Sequence, residues 1–305
     1  MSWSLDYHRL DFSIQFAKPV VFENFPVFLF RSLLGKELFR LICPFKKKIC
    51  DTCSLRFKCA YSYVFESPVT KDNPILYGRN FASHPFVMST DVGVNKSTEM
   101  LKLTMLLIGD AAEYIPIIFW SLIRAGQHGI FKARVPFKIN ALFIHGQSAY
   151  DGEKLSMPKE KHCWTLNESP EQRKGQLFLE FLTPVRFKKD GRYIKQLSFE
   201  DVIQAALRRL EILSATYGSL EFKKIAFPQF VLEHEHGQMS WKDYDRWSAR
   251  QKQKMRMGGS VGLLTASGVF SQTCLSLLEG AQLFHIGKNT SFGLGKIKYT
   301  FVEGV

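Results

Sequence analysis

The N-terminal half of the chain combines two kinds of apolar spacing. Residues 10–17 carry an apolar side chain at every second position, which predicts a half-buried β-strand. Residues 28–42 carry apolar side chains near helical spacing, and Pro26 stands just before this run, where a helix can begin. The same patterns predict three more strands and one more helix: strands over 85–90, 100–108 and 132–144, and a helix over 111–125 that ends at Gly126. The predicted order is therefore β-α-β-β-α-β.

The C-terminal half repeats this order of elements. An amphipathic helix is predicted over 199–217, where Val202, Ala206 and Leu210 lie on one stripe. The remaining elements are four strands and a second helix: strands over 176–187, 221–233, 259–265 and 295–302, and a helix over 273–285. The repetition lies in the order of the elements and not in the identity of their residues.

These patterns predict an α+β fold of two tandem ferredoxin-like (RRM-like, βαββαβ) domains. The first domain is predicted over 1–150 and the second over 174–305. Residues 151–173 are rich in Lys, Glu, Pro and Ser and lack an apolar period, so we interpret them as a connector.

The charge balance narrows the class of partner. The 305 residues include 41 Lys and Arg against 28 Asp and Glu, which gives a net charge of +13. A field of this sign attracts polyanions, and nucleic acid is the leading candidate. An anionic membrane surface, or no polyanion at all, stays open. The N-terminus carries no targeting segment and no apolar stretch is long enough to span a bilayer, so we expect a soluble, intracellular protein.

Four cysteines lie close together in the first domain. They are spaced C-x6-C-x2-C-x5-C over 43–59 and predict an inserted metal knuckle formed by Cys43, Cys50, Cys53 and Cys59. Four thiolates are the tetrahedral set that zinc favours, and they also hold iron–sulfur clusters. We expect a structural zinc, with an iron–sulfur cluster as the alternative. Free or disulfide-bonded cysteines are the remaining possibility.

Two segments of the second domain are suited to contact RNA. The loop over 287–296 contains three glycines and two lysines that could approach phosphates, namely Gly287, Gly293, Gly295, Lys288 and Lys296. The stretch over 241–259 interleaves aromatic residues with six basic ones against two acidic ones. Such cations meet phosphates while the aromatic rings stack on bases. Its candidate RNA-binding residues are Arg246, Arg250, Lys252, Lys254 and Arg256. A solvated loop is the alternative.

The chain resembles a known family at these same segments. Gly258 and Gly259 with the preceding 248–252, and the loop over 285–296, resemble the signature of CRISPR-associated precursor-RNA-processing endoribonucleases of the RAMP superfamily. Upstream segments resemble the N-terminal half of that family: 59–61, 84–87, 107–111, and 126–130 followed by Arg134. The resemblance covers most of the chain, and the C-terminal loop is its most specific part.

The resemblance implies two ferredoxin-like domains, in agreement with the element order. It implies cleavage of CRISPR repeat RNA into guide crRNAs without a catalytic metal, through attack of a ribose 2′-hydroxyl. It also implies a cytoplasmic prokaryotic protein that hands its product to a CRISPR effector complex. A non-catalytic RAMP-type guide-RNA-binding subunit is the main alternative, and a redox or sensing protein with an iron–sulfur cluster is another.

Histidine suits acid and base roles in metal-free cleavage because its pKa lies near neutrality. Members of the family usually carry a catalytic histidine between the first helix and the second strand, and His84 is the histidine in that interval. His285 opens the glycine loop and could act with Lys288 as charge stabiliser, or it could simply cap the helix. His128 could line the same groove or pack in a turn. The other histidines are predicted to be surface residues or to lack supporting neighbours: His8, His145, His162, His234 and His236.

Overall fold

The computed structural model describes residues 3–45, 49–158, 160–189, 191–248 and 253–304. It is a mixed α/β structure with antiparallel sheets. The chain divides into two compact units, an N-terminal unit of residues 6–163 and a C-terminal unit of residues 164–305 together with 1–5. The division falls inside the predicted connector. Among the described residues, no helix has the length and apolar character needed to cross a membrane.

The N-terminal unit follows the predicted element order. Its elements in chain order are β1 (Ser4–Val21), α1 (Pro26–Ile42), β2 (Phe86–Thr90), β3 (Ser97–Ile108), α2 (Ile115–His128), β4 (Phe137–Ile144), β5 (Gln147–Tyr150) and β6 (His162–Thr165). The strands form a sheet in the order β2-β3-β1-β4-β5, and β6 pairs with β1. In the centre of this sheet Phe12 lies opposite both Leu103 and Leu142, and all three side chains are buried. The alternating pattern of β1 therefore directs one of its faces into the core.

The second helix differs from its predicted bounds. A 3₁₀ turn over Gly109–Tyr114 precedes α2, and the helix continues past Gly126 to His128. Gly126 is a packing residue, because a Cβ atom there would overlap the backbone oxygen of Phe137 on β4. Gly129, with φ of 75°, ends the helix instead. The predicted stop at Gly126 is wrong because the sequence does not distinguish a glycine needed for close packing from one needed for a left-handed cap.

The C-terminal unit repeats the arrangement and adds two hairpins. Its elements are β7 (Gln172–Val185), β8 (Lys188–Lys189), β9 (Arg192–Tyr193), α3 (Phe199–Tyr217), β10 (Phe230–Lys242), β11 (Asp245–Ser248), β12 (Gln253–Arg256), β13 (Gly259–Ser271), α4 (Gln272–Phe284) and β14 (Ile297–Glu303). The main sheet has the order β10-β13-β7-β14, while β8-β9 and β11-β12 form separate hairpins. The bounds of α3 are those predicted. Ser198 and Asp201 form a capping box at its start.

The strand predicted over 221–233 is displaced along the chain. The observed strand β10 begins at Phe230 and continues through thirteen residues to Lys242, paired with β13. It lies at the edge of the sheet and most of its side chains are exposed, so it carries little hydrophobic alternation. The preceding residues lie outside any strand, and Phe222 stacks there on Trp3 with ring centroids 6.1 Å apart. The apolar residues that suggested a strand therefore belong to a packed loop.

Candidate nucleic-acid interface

The glycine loop, residues 287–296, folds against the end of β7. Gly287, Gly293 and Gly295 all have φ between 76° and 79°, the left-handed region that favours glycine. A Cβ atom on Gly295 would overlap the carbonyl oxygen of Ile286, and one on Gly287 would lie 2.8 Å from the carbonyl oxygen of Arg186. The glycines therefore allow a close approach between backbone segments.

Two of the N–H groups expected to meet phosphate are hydrogen-bonded inside the protein. Gly293 donates to the carbonyl oxygen of Thr290 at 2.9 Å, and Gly295 donates to that of Pro184 at 3.0 Å. Much of the loop is buried, while Lys288 is exposed and Phe292 and Lys296 are half-buried. A contact with RNA would consequently use the side chains of the loop more than the backbone of Gly293 and Gly295.

His285 lies inside the unit and not on its surface. It is 4% exposed, follows the last residue of α4, and its Nδ1 lies 3.2 Å from the carbonyl oxygen of Leu294. Burial, with the positive charges of Lys296 and Arg209, lowers the pKa of His285 to about 3. The ring is therefore neutral and packed. This geometry favours the capping role over the predicted catalytic one, because a buried imidazole is withheld from substrate.

The basic stretch forms the β11–β12 hairpin and meets the glycine loop. The guanidinium of Arg246 stands 4.2 Å from the centre of the Phe292 ring, and burial lowers the pKa of Arg246. Lys254 pairs with Asp245 at 2.8 Å, whereas Arg256 is exposed. The predicted RNA-binding residues Arg250 and Lys252 lie outside the described residues.

A second arginine stacks beside the same loop. Arg186 stands 4.3 Å from the centre of the Tyr193 ring, and its carbonyl oxygen accepts the N–H of Lys288 at 3.3 Å. The ring centroid of Tyr193 in turn lies 6.4 Å from that of Trp241. We call Arg186, Tyr193, Trp241, Arg246 and Phe292 the basic–aromatic surface. Arg186 and Tyr193 were not predicted from the sequence, although the interleaving of basic and aromatic residues over 186–193 is the same signal that marked 241–259.

The four cysteines of the predicted knuckle line one small pocket. Among the described residues, no disulfide joins any of the four. Within the part of the chain that the structure describes, no group of three or more His, Cys, Asp or Glu side chains is arranged to hold a metal ion. The structure thus gathers the predicted ligands around one space without forming a tetrahedral site.

His84 is held within the N-terminal unit by polar contacts. Its Nε2 lies 3.0 Å from the carbonyl oxygen of Phe65 and 3.1 Å from the guanidinium of Arg31. The ring also packs edge-on against Phe86. The Nε2 atom is therefore occupied inside the protein, while the ring as a whole is half-buried.

Three histidines that are distant from one another along the chain form a cluster in the N-terminal unit. The rings of His145 and His162 stack with centroids 3.6 Å apart, and His8 lies 5.2 Å from His145. Burial, together with the charges of His162 and His8, lowers the pKa of His145 to about 4. No local signal could have indicated this cluster, because its members come from β1, from the turn that precedes β5, and from β6.

Solved structures similar to this chain contain both units. A Cas6 product complex is 15% identical with a TM-score of 0.56, covering 96% of this chain and all of that one. Thermus thermophilus Cas6 is 14% identical with a TM-score of 0.52, covering 97% of this chain and 99% of that one. At such identities the likeness concerns the fold.

Two family models divide the sequence between them. Residues 5–162 match the AF_1859_N family, described as an N-terminal domain. Residues 179–297 match the family described as CRISPR-associated endoribonuclease Cas6, and this segment contains the glycine loop and the basic stretch. Over this segment the chain matches the Cas6 family of CRISPR-associated endoribonucleases. The resemblance noted at the C-terminal loop is confirmed.

One relative matches this chain over nearly its full length. It is an uncharacterized protein of Archaeoglobus fulgidus, 25% identical over 304 residues, with 97% of this chain and 98% of the relative covered. The basic–aromatic surface lies within the segment that matches the Cas6 model. His84 lies within the segment that matches the AF_1859_N model.

Proposed function

We propose that this chain binds CRISPR repeat RNA and cleaves the precursor transcript into guide crRNAs. The ribose 2′-hydroxyl attacks the adjacent phosphate, which leaves a 2′,3′-cyclic phosphate and a 5′-hydroxyl, with no catalytic metal. The proposal includes two ferredoxin-like domains, which the shared βαββαβ order and the equivalent strand orders of the two sheets support.

The observation that carries RNA binding is the contact between Arg246 and Phe292. It joins the basic hairpin to the glycine loop, the two segments that the family resemblance marks. Arginine planes and aromatic rings stack on unpaired bases, and the exposed Lys288 can meet phosphate. The net charge of +13 adds sequence-independent affinity.

Cleavage of a cognate repeat RNA in EDTA tests the reaction. We expect cleavage with a cyclic phosphate end, and no cleavage when a 2′-deoxy sugar precedes the scissile phosphate. Cleavage of the deoxy substrate would exclude attack by the 2′-hydroxyl. Loss of cleavage in EDTA that added Mg²⁺ restores would exclude the metal-free mechanism.

A structural zinc in the cysteine pocket is part of the proposal, with an iron–sulfur cluster as the alternative. Four thiols that line one space fit the ligand chemistry of either group. Metal analysis and visible absorption of anaerobically purified protein separate them. We expect about one zinc per chain and a colourless protein, and the zinc should be lost in Cys50→Ser/Cys53→Ser. A metal-free wild type contradicts the knuckle.

A non-catalytic guide-RNA-binding subunit is the second candidate function. Two observations favour it, since His285 is buried and the Nε2 atom of His84 is engaged with Phe65 and Arg31. If His84 is catalytic as predicted, His84→Ala abolishes cleavage and leaves RNA binding intact. If the wild type binds repeat RNA tightly and cuts none, the binding role is correct.

We also propose that the product passes to a CRISPR ribonucleoprotein complex. Support comes from a structural neighbour, a partial Cas6-RT-Cas1–Cas2 complex with a TM-score of 0.55 and 13% identity. This chain covers 47% of that larger one. Co-purification of crRNA with this chain and other CRISPR proteins tests the proposal, and recovery of free crRNA alone contradicts it.

A further inference from the structure

A buried carboxylate lies between the two helices of the N-terminal unit. The side chain of Glu37 on α1 is 3% exposed, yet it faces three cationic or ionisable groups that are about half exposed. Its Oε1 accepts from Arg40 at 2.7 Å, while its Oε2 lies 3.6 Å from Arg124 Nε and 3.7 Å from His128 Nδ1. A buried carboxylate is costly unless it is paired, so this arrangement fixes the positions of its neighbours.

The contacts of His128 define which of its nitrogens carries the proton. Its Nδ1 lies 2.9 Å from the carbonyl oxygen of Arg124 and faces the Glu37 carboxylate, and both are acceptors. The Nδ1 atom must therefore carry the hydrogen, which leaves the Nε2 lone pair to accept a proton. The side chain is 54% exposed, so this nitrogen can be reached from solvent. A carboxylate behind a correctly oriented imidazole is the arrangement of a general base.

The same surface supplies positive charge for a phosphate. Arg40 and Arg124 have side chains 45% and 44% exposed, so each can direct part of its guanidinium outward while Glu37 anchors it. Gly129 follows His128, and a Cβ atom there would overlap the backbone of Arg134, which brings that exposed residue to the same place. Among the described residues, these contacts place Glu37 and Arg40 on α1, Arg124 on α2, and Arg134 in the following turn near His128.

We infer that His128 is the general base of the cleavage reaction, an inference that rests on the proposed function. Its Nε2 takes the proton of the 2′-hydroxyl as O2′ bonds to phosphorus. The bond from phosphorus to O5′ breaks, and O5′ takes a proton from solvent. Arg40 and Arg124 bind the phosphate as charge develops on its oxygens. Glu37 is a positioning residue whose carboxylate orients His128.

The two histidines that compete for the role of base lie on different sides of α1. Arg31, which contacts His84, and Glu37 are six positions apart on this helix and therefore point in different directions around it. His84 and His128 consequently belong to different faces of α1. His84 is half-buried, whereas the side chain of His128 is 54% exposed.

Single-turnover cleavage of repeat RNA by His128→Ala tests the inference. We expect the rate to fall by about 10²- to 10⁴-fold, the usual loss on removing a general base. Affinity for a non-cleavable 2′-deoxy repeat should change less than about threefold, and added imidazole should restore part of the rate. The matched control is His236→Ala, an exposed histidine on β10, which should cleave at the wild-type rate.

Glu37→Gln and Glu37→Asp test the positioning role by single-turnover cleavage. We expect the amide to lower the cleavage rate at saturating protein with unchanged affinity for the 2′-deoxy repeat, and the shorter carboxylate to recover part of that rate. A merely structural role for Glu37 would lower the stability of both variants without this difference between them. If wild type cleaves and His128→Ala cleaves equally fast, the inference is wrong and the endoribonuclease proposal stands. If wild type cleaves no repeat RNA, the proposed function itself fails.

Discussion

The two units end their second helices with a histidine, and the two histidines have opposite environments. His128 is the last residue of α2 and is 54% exposed, whereas His285 directly follows α4 and is 4% exposed. Glycines with positive φ follow both, Gly129 in one unit and Gly287 in the other. The repeated arrangement of elements therefore places a histidine at the equivalent helix end of each unit, in two different environments.

The first helix of each unit places a charged side chain near that histidine. The charge is negative in the N-terminal unit and positive in the C-terminal unit. In the N-terminal unit, Glu37 of α1 faces His128 with a carboxylate. In the C-terminal unit, the buried Arg209 of α3 donates to the carbonyl oxygen of Phe284 at 3.3 Å and helps to lower the pKa of His285. A carboxylate favours a protonated imidazole and a guanidinium disfavours it. We therefore propose that one helix end is arranged for proton transfer and the other for packing beside the glycine loop.

Substituting the glycines that support the two helix ends should cause the largest loss of stability. Gly129→Ala and Gly295→Ala place a Cβ atom into backbone at φ of 75° and 76°. We expect each to lower the free energy of unfolding by about 2 to 4 kcal/mol, from strain and displaced backbone. Gly146→Ala, at φ of 82° with nothing within 4 Å, is the control and should cost about 1 kcal/mol. Denaturant unfolding measures all three, and equal losses would contradict the packing role.

A smaller effect is expected in the pH dependence of stability, through the buried His285. The pKa of His285 lies at about 3 in the folded chain, below its ordinary value of 6.5. As the pH falls through 6.5 the unfolded chain takes up the proton first, so stability present above that pH is lost on acidification. We expect this residue to add a slope of up to about 1.4 kcal/mol per pH unit between pH 6 and 4.

His285→Gln should reduce that slope in unfolding experiments across the same pH range. It should not abolish the slope, because His145, with its pKa lowered to about 4, contributes in the same direction. The matched control is His234→Gln, which replaces an exposed histidine on β10. Identical slopes for wild type and His285→Gln would show that the buried ring does not control acid stability.

The smallest effect is expected from a substitution that separates RNA binding from catalysis. Arg246→Ala removes the cation stacked on Phe292, and we expect affinity for repeat RNA to fall about tenfold, near 1.4 kcal/mol, with an unchanged rate at saturating protein. Arg173→Ala removes the same charge from a bidentate pair with Glu303 and is the control. Filter binding at several salt concentrations measures both. If the control also loses affinity about tenfold, RNA binding depends on net charge alone.

Local sequence patterns determined the order of elements in both units. Alternation along β1, the helical stripe and capping box of α3, and the glycine loop with its neighbouring basic stretch all act over a few residues, so they can be read along the chain. They were also sufficient to indicate the family. The edge strand β10 could not be placed in this way, because an exposed strand needs no apolar alternation.

Tertiary packing, by contrast, decides which histidines are buried and which have charged neighbours. Glu37 and His128 are ninety-one positions apart in the chain, and His8, His145 and His162 meet from three separate elements. Whether a histidine is buried, as His285 is, depends on how α4 and the glycine loop pack against β7. Charge and burial at a point in space are sums over residues that are distant in sequence, so no local pattern contains them.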